Sequence, residues 1–469
     1  MLEPDEIREH VTNMWQWHQQ ELPRFQRIHD YLHGRLGYPQ LPEEADNEVR
    51  ELARLSIKNV LRVVRDSFTQ NLSVVGYKTA GSRENLPAWQ MWQRNRMDAR
   101  QSEINRPCVA YGVTYVTVTP GDDGPVFRPR SPRQLIAVYE DPQVDEWPQY
   151  ALETWVDTSN TEPRRKAMLY DDEYLYPLDL GRIDQSAIRE GVIQRLTIAS
   201  EGIGEPIRHG AEVCPVVRYI CLRDAEDLIV GEIEPLIDLQ RTINSVNFDR
   251  LIVSRFGAFP QKVISGWTGS KSEVLAASAK RVWTFDDVEV KAQVFPAASV
   301  EPYNGLLNEL MEHVAMEAQI SPARVTGKMV NISAEALAAA EADQQRKLAA
   351  MRLSLGESHE QLIRLGARMA GDQDTADDLN AEVVWRDTEA RSFGAVVDGV
   401  TKLAQAGVPI ESLLTMIPGM TQQQILGVQE AMRSQGVARL IDALRPAAQE
   451  AVADPVVDEL ASRTDAVTA

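Results

Sequence analysis

A helix-rich α+β fold follows from three observations on this 469-residue chain. Apolar residues recur at three- and four-residue spacing near the N-terminus, switch to period two from about residue 113 to 230, and return to helical spacing from Glu232. Between Glu232 and Gly371, two helix-length segments flank a strand-like insertion. A Pro/Gly break then leads into a very long segment free of breakers.

Pro4 to Arg35 reads as a helix carrying Ile7, Val11, Met14, Trp15, Trp17 and Leu22, interrupted or bent near Pro23. Asn47 to Leu72 reads as a second helix, striped by Val49, Leu52, Leu55, Ile57, Val60, Leu61, Val64 and Phe68. A third covers Pro87 to Tyr111 with Trp89, Met91 and Trp92. The segments VTYVTVT, PVFRPRSP, LIAVYED, YALETWVD, KAMLYDDEYLYPL, VIQRLTIAS and CPVVRYICL then alternate or run apolar between Gly, Pro and Asp turns, which predicts antiparallel strands.

Ile233, Leu236, Ile237, Leu239, Ile243, Val246, Leu251 and Ile252 predict a helix over 232–256. Pro235 is tolerated near its start, because first-turn N–H groups lack partners anyway, and Gly257 and Pro260 mark its end. From Val263 to Phe295, VISGW, RVWTF and VEVKAQVF are β-branched and aromatic. They predict strands at 261–265, 281–285 and 288–295 around a small helix at Ser272 to Ala279. Leu306, Leu307, Leu310, Met311, Val314 and Ile320 restore the helical stripe over 300–320.

In SPARVTGKMVNIS, Pro322 disfavours helix at Ser321, Gly327 adds freedom, and Ser333 is suited to capping the next helix. Ala334 to Ala370 is then built of the best helix formers and would extend roughly 55 Å. Its stripe of Leu337, Leu348, Met351, Leu355, Leu362, Leu365 and Met369 is diluted by alanine. That favours close packing against several elements over one coiled-coil partner, with Gly356 and Gly366 as places where it can bend. A short strand at Val383 to Trp385 and further helices punctuated by GVP and IPGMT follow. From Pro446 the chain loses apolar periodicity and is expected to fray.

Hydrophobic residues at 43% and charged residues at 25% are globular proportions. Net charge of −20 argues against tight, counterion-releasing DNA binding over a broad surface. Cys108, Cys214 and Cys221 are too few and too scattered for a disulfide framework or a zinc site, and imply a reducing compartment. MLEPDEIREH lacks a signal peptide's basic start and apolar core, and no run approaches membrane-spanning length, so a soluble, unexported chain is expected.

No phosphate loop of GxxxxGK[ST] type, no GxSxG, no HExxH and no paired-cysteine motif is present. His29 and His33 are four apart and could share a helix face, but no third ligand is evident. Asp122–Asp123, Asp171–Asp172 and Asp286–Asp287 read as turns and solvated loops rather than acid/base dyads. No catalytic residue, metal site or cofactor is therefore assigned.

The ordered series EIEPLIDLQRTINS, a β-containing insertion, VEPYNGLLNELMEHVA, PARVTGKMVNISAEALAAAEADQQRK, VVWRDTEARS and KLAQAGVPIESLL resembles the tailed-bacteriophage portal proteins of siphophage type. The likeness covers about residues 40 to 430. Single motifs in it are weak; their order is the specific signal.

The resemblance implies a homo-oligomeric ring, typically of twelve subunits, at one capsid vertex of the virion, assembled in the bacterial host cytoplasm. Residues 1–231 would be the wing, 232–256 and 300–320 stem helices, and 257–299 the clip. Residues 321–333 would be a tunnel loop, 334–391 the long wing helix and strand, 392–445 a helical crown, and 446–469 a disordered tail.

Implied partners are the terminase large subunit, head-tail connector or adaptor proteins, major capsid and scaffolding proteins, and double-stranded DNA passing through the channel, with no membrane. Arg324, Thr326, Gly327, Lys328, Met329 and Asn331 would face DNA, Arg324 and Lys328 being the only charges in their loop. Lys262, Lys271, Lys280, Arg281 and Lys291 would contact DNA or an acidic partner at the clip. The clip strands are left either to pair across subunits or to form an ordinary intrachain sheet. Alternative readings are a metal-dependent phage nuclease using dispersed carboxylates, or a different oligomeric helical scaffold.

Overall fold

Helical and period-two segments separate into layers much as their spacing predicts, with two predicted helices divided in two. The computed structural model describes residues 1–79, 83–84, 86–159, 162–182, 202–257, 262–265, 291–294, 298–327, 334–386, 388, 393–408 and seven positions between 413 and 428. Met1–Ser73 and Tyr77–Val383 form one unit; Val74–Gly76 and the described residues from Val384 form a second.

Helix α1 (Pro4–Leu32) begins in a capping box, the Glu3 N–H donating to Glu6 Oε2 at 2.8 Å, and continues through Pro23. Asn47 to Leu72 is not one helix but two, α2 (Asn47–Leu55) and α3 (Val60–Thr69). Asn59 caps α3, its side chain accepting from Arg62 N, and the intervening backbone is taken up by other side chains. The break turns Leu55 outward, at 63% exposure, while Val60, Leu61, Val64 and Phe68 are buried.

β1 (Val74–Thr79) pairs with β2 (Arg83–Glu84) through Lys78 and Thr79. The next predicted helix is likewise divided, into α4 (Leu86–Arg94) and α5 (Met97–Tyr111), where Arg96 takes a left-handed φ of 54°.

Eight antiparallel strands follow: β3 (Val113–Thr119), β4 (Val126–Arg130), β5 (Leu135–Val138), β6 (Tyr150–Asp157), β7 (Arg164–Tyr170), β8 (Tyr174–Arg182), β9 (Ile207–Arg208) and β10 (Val216–Ile220). They form a three-stranded sheet ordered β10-β3-β4 and a five-stranded meander β5-β6-β7-β8-β9. VIQRLTIAS lies outside the described residues.

Alternation sets one face of the meander against α1. Leu152, Ala167, Leu169, Tyr176, Leu178 and Leu180 enclose Ile7, Val11, Met14 and Trp15. Each fully buried aliphatic there is worth about 1.5–3 kcal/mol. By contrast all seven residues of β3 are buried: α5 packs against the strand, and Tyr115 and Thr117 reach Ala137 and Tyr170 of the meander.

The remaining elements are α6 (Ile237–Ile252), running into a π-helical turn (Val253–Gly257), β11 (Lys262–Ser265), β12 (Lys291–Val294), α7 (Glu301–Ala318) and α8 (Pro322–Thr326). After them come α9 (Ala334–Ala370), α10 (Gln373–Ala376), β13 (Glu382–Trp385) and α11 (Phe393–Gln405). The 37 residues of α9 form one uninterrupted helix packed on α4, β3, β10 and α10 of its own chain. Gly366 permits close packing: a Cβ there would lie 2.6 Å from Met91 Sδ and 2.9 Å from the Phe127 ring. In the second unit, Leu414, Ile417 and Ile425 cluster with Val400 and Val428. The predicted helix at Ser272 to Ala279, the strand at 281–285 and the tail at 446–469 lie outside the described residues.

Candidate functional site

Of the sequence-predicted site residues that the structure describes, Lys262 and Lys291 lie at the tip of the α6–α7 hairpin and Arg324, Thr326 and Gly327 beyond its other end, where the root is held by backbone contact and charge. A Cβ on Gly231 would fall 2.3 Å from Ala110 O, so only glycine lets these two chains approach. One residue on, Glu232 N donates to Val109 O at 2.8 Å and its carboxylate meets Lys347 Nζ of α9 at 2.5 Å. Both side chains are largely buried, at 10% and 16% exposure. Burial raises the Glu232 carboxyl above its usual range, and Lys347 opposes that rise. Lys347 also stands 5.3 Å from the centre of the Phe68 ring. Arg24 of α1 adds a second clamp, binding Glu234 Oε2 at 2.8 Å and Ile229 O at 2.6 Å.

Of the apolar stripe that periodicity predicts over 232–256, Ile233, Leu236, Ile237 and Ile243 are buried while Leu239, Val246, Leu251 and Ile252 are only half-buried, and the inward face of α6 also carries Gln240, Asn244 and Asn247. The amides serve the break between α2 and α3. Val60 N donates to Gln240 Oε1 at 3.0 Å, Lys58 N to Asn244 Oδ1 at 3.1 Å, and Asn247 Nδ2 donates to Ser56 O at 2.6 Å. Gln240 Nε2 also donates to Lys58 O and, at 2.8 Å, to Asn244 Oδ1. Backbone groups that a continuous helix would satisfy internally are thus satisfied by the hairpin. The available signal was three amides at i, i+4 and i+7, which lie on one helix face.

Within the hairpin, Ile243, Leu307, Leu310 and Val314 are buried, and Arg250 Nη1 donates to Asn304 Oδ1 at 3.2 Å. Outward, Phe256 is 45%, Leu306 43% and Met316 73% exposed, beside exposed Glu309, Glu312 and Glu317. At the tip, β11 pairs with β12 of the same chain, Lys262 opposite Val294 and Ser265 opposite Lys291. This ladder is therefore the intrachain alternative. Lys262 and Lys291 stand at opposite ends of it; Lys271, Lys280 and Arg281 lie outside the described residues.

After α7, Gln319 turns left-handed and α8 forms a single turn closed by Gly327 at φ 69°. Arg324 of that turn binds Glu341 Oε1 of α9 at 3.0 Å, and Thr326 Oγ1 donates to Pro322 O at 2.9 Å. In this arrangement the Arg324 charge faces α9. Lys328, Met329 and Asn331 lie outside the described residues.

Other candidates dissolve into structure. His29 and His33 do share a face, with ring centroids 4.1 Å apart, and burial together with Arg133 lowers His29 to about 4. Among the described residues no three His, Cys, Asp or Glu side chains converge as a metal site. Asp122 and Asp123 sit in the turn between β3 and β4 as expected. Asp171 also sits in a tight turn but is buried rather than solvated, accepting from the Glu173 N–H at 2.8 Å and Tyr176 Oη at 2.7 Å. Asp286 and Asp287 lie outside the described residues. No described helix is long and apolar enough to cross a membrane.

The family model for phage portal proteins, SPP1 Gp6-like, matches residues 12–436. The portal proteins of Mycobacterium phage D29 and Mycobacterium phage L5 are each 25% identical over 368 residues, spanning 73% of this chain and 71% of theirs. Among solved structures, a chain in the virion of the native gene transfer agent particle aligns at 12% identity and TM-score 0.43, covering 84% of this chain and 100% of that one. One from the neck of the empty particle aligns at the same identity and TM-score, covering 81% and 96%.

Proposed function

The chain belongs to the phage portal protein family, SPP1 Gp6-like, a family of structural proteins rather than enzymes, and from that membership we propose that copies of it close into a ring of twelve. Such a ring would carry double-stranded DNA into and out of the capsid at one vertex. The observation that carries the proposal is the α6–α7 hairpin, which leaves Phe256, Leu306 and Met316 exposed in a single copy. Repetition of one head-to-tail contact around a closed ring buries such a face on every subunit.

In this reading 1–231 and 334–391 form the wing, 232–256 and 300–320 the stem, 257–299 the clip, 321–333 the tunnel loop and 392–445 the crown. The clip receives the terminase large subunit during packaging and connector or adaptor proteins afterwards. Major capsid and scaffolding proteins surround the ring during assembly in the host cytoplasm. Arg324, Thr326, Gly327, Lys328, Met329 and Asn331 face the DNA, with Arg324 released from Glu341 when it touches phosphate. Lys262, Lys271, Lys280, Arg281 and Lys291 meet DNA or an acidic partner at the clip. An acidic body with a few basic loops suits a passage through which DNA slides, since a uniformly basic wall would hold it.

Native mass measurement and negative-stain imaging test the ring: discrete particles with a central hole are expected. A stable monomer with metal-dependent nuclease activity would sink the proposal. Arg324→Ala with Lys328→Ala is expected to preserve the ring while altering DNA packaging or retention. Loss of the ring in that variant would place the loop in a subunit interface instead.

A further inference from the structure

We propose that Cys108 and Cys221 form a redox-convertible pair that closes an intramolecular disulfide when the protein meets a peroxide. Cys108 lies in the last turn of α5 and Cys221 directly after β10, far apart in sequence and both almost wholly buried. They meet at Gly112. Antiparallel pairing of Ile220 with Val113 continues one step further, so that Cys221 N donates to Gly112 O at 2.9 Å. The Cys108 thiol lies 3.8 Å from that same carbonyl oxygen and 3.6 Å from Tyr219 O, two residues before Cys221. The Cys108 thiol and the Cys221 backbone thus share the Gly112 carbonyl, which places the two side chains beside one another.

Cys214 supplies an internal control. It is equally buried, but its thiol donates to Tyr170 O at 3.8 Å and its ionisable neighbours are Asp171 and Asp172, not another thiol.

The chemistry balances with hydrogen peroxide as the oxidant, a molecule small enough to enter a packed interior during local opening. One thiolate attacks a peroxide oxygen, the O–O bond breaks, hydroxide leaves, and a sulfenic acid forms. The second thiolate attacks that sulfur and displaces the hydroxyl group as hydroxide. The two thiol protons end in two water molecules, the sulfurs lose two electrons, and the peroxide gains them. Burial pushes the Cys108 thiol upward, so the reaction is slow at neutral pH and accelerates as pH rises.

The bond would close a loop containing β3 to β10, beside the Gly112–Gly231 contact from which the hairpin springs. Closing so long a loop restricts the unfolded chain most. A reduced cell interior would keep the pair open, and an oxidising exterior would close it.

The test exposes the full-length protein to hydrogen peroxide, removes the excess, unfolds it, alkylates with iodoacetamide and maps the peptides by mass spectrometry. The expected product has lost two hydrogens, contains a Cys108–Cys221 linked peptide, leaves Cys214 alkylated, and reverts with dithiothreitol. Its thermal midpoint, read without reductant, rises by several degrees. Cys108→Ser abolishes the linked species. Full alkylation of all three cysteines, under conditions that oxidise a free-thiol control, overturns the proposal. So does a link through Cys214, a link between chains, or a modification that reductant fails to reverse.

Discussion

His359 shows how burial converts an ordinary residue into a pH liability. It is fully buried on α9, 3.1 Å from Tyr219 Oη and edge-on to Trp92, and burial lowers it to about 3. A group whose folded value is depressed contributes stability above its unfolded value, near 6.5, and loses it as pH falls toward the folded value. Each pH unit in that window removes about 1.4 kcal/mol. Urea midpoints should therefore drop from pH 6.5 to 4, and His359→Gln should flatten that slope even if it lowers stability at pH 7. Glu232 behaves with the opposite sign. Its folded value is raised, so charging it as pH climbs through that value works against folding, and Lys347 offsets the penalty. Lys347→Met should destabilise by about 3–5 kcal/mol at pH 7 by leaving a buried carboxylate unpaired. Lowering the pH, or adding Glu232→Gln, should restore part of the loss in the same denaturation assay.

At the scale of elements, α6 and α9 are both defined by what packs beside them. Gly366 would gain about 1 kcal/mol of helix propensity as alanine in an isolated helix. Here the new Cβ meets Met91 and Phe127, so Gly366→Ala should instead lose about 1–3 kcal/mol, measured as a lower urea midpoint with an unchanged slope. The division of Asn47–Leu72 has the same origin. An apolar stripe predicts one helix through Ser56–Asn59, because local propensity contains no term for Gln240, Asn244 and Asn247, more than 180 residues away along the chain.

For the whole molecule, the surface of a single copy is the informative quantity. Leu306 and Met316 project from a helix whose other side buries Leu307, Leu310 and Val314, and the proposed ring would cover them. Leu306→Asp should leave the circular dichroism spectrum of the protein unchanged and shift its native mass from ring to smaller species. Unchanged ring mass in a folded variant would place the subunit contact elsewhere. The portal family is assigned by the chain from residue 12 to 436, not by any single motif within it.

The α1 stripe, the alternating strands, α7, the breaker-free α9 and the portal resemblance could all be read from residue order, because periodicity and propensity are local and additive along a chain. The end of α7 before Pro322 and the stop at Gly327 were legible from the Pro and Gly in SPARVTG. What residue order could not supply was pairing between distant segments: Arg324 with Glu341, Lys347 with Glu232, the α6 amides with the α2–α3 break, and strand β11 with β12. Two of three cysteines that look scattered in the sequence likewise meet at Gly112 only once β10 lies beside β3. Such contacts depend on the antiparallel register and on backbone approach at Gly231, which are properties of the folded chain as a whole. The sequence alone determined the kinds of elements and their order; the tertiary structure decided which charges are spent inside the protein and which faces remain for a partner.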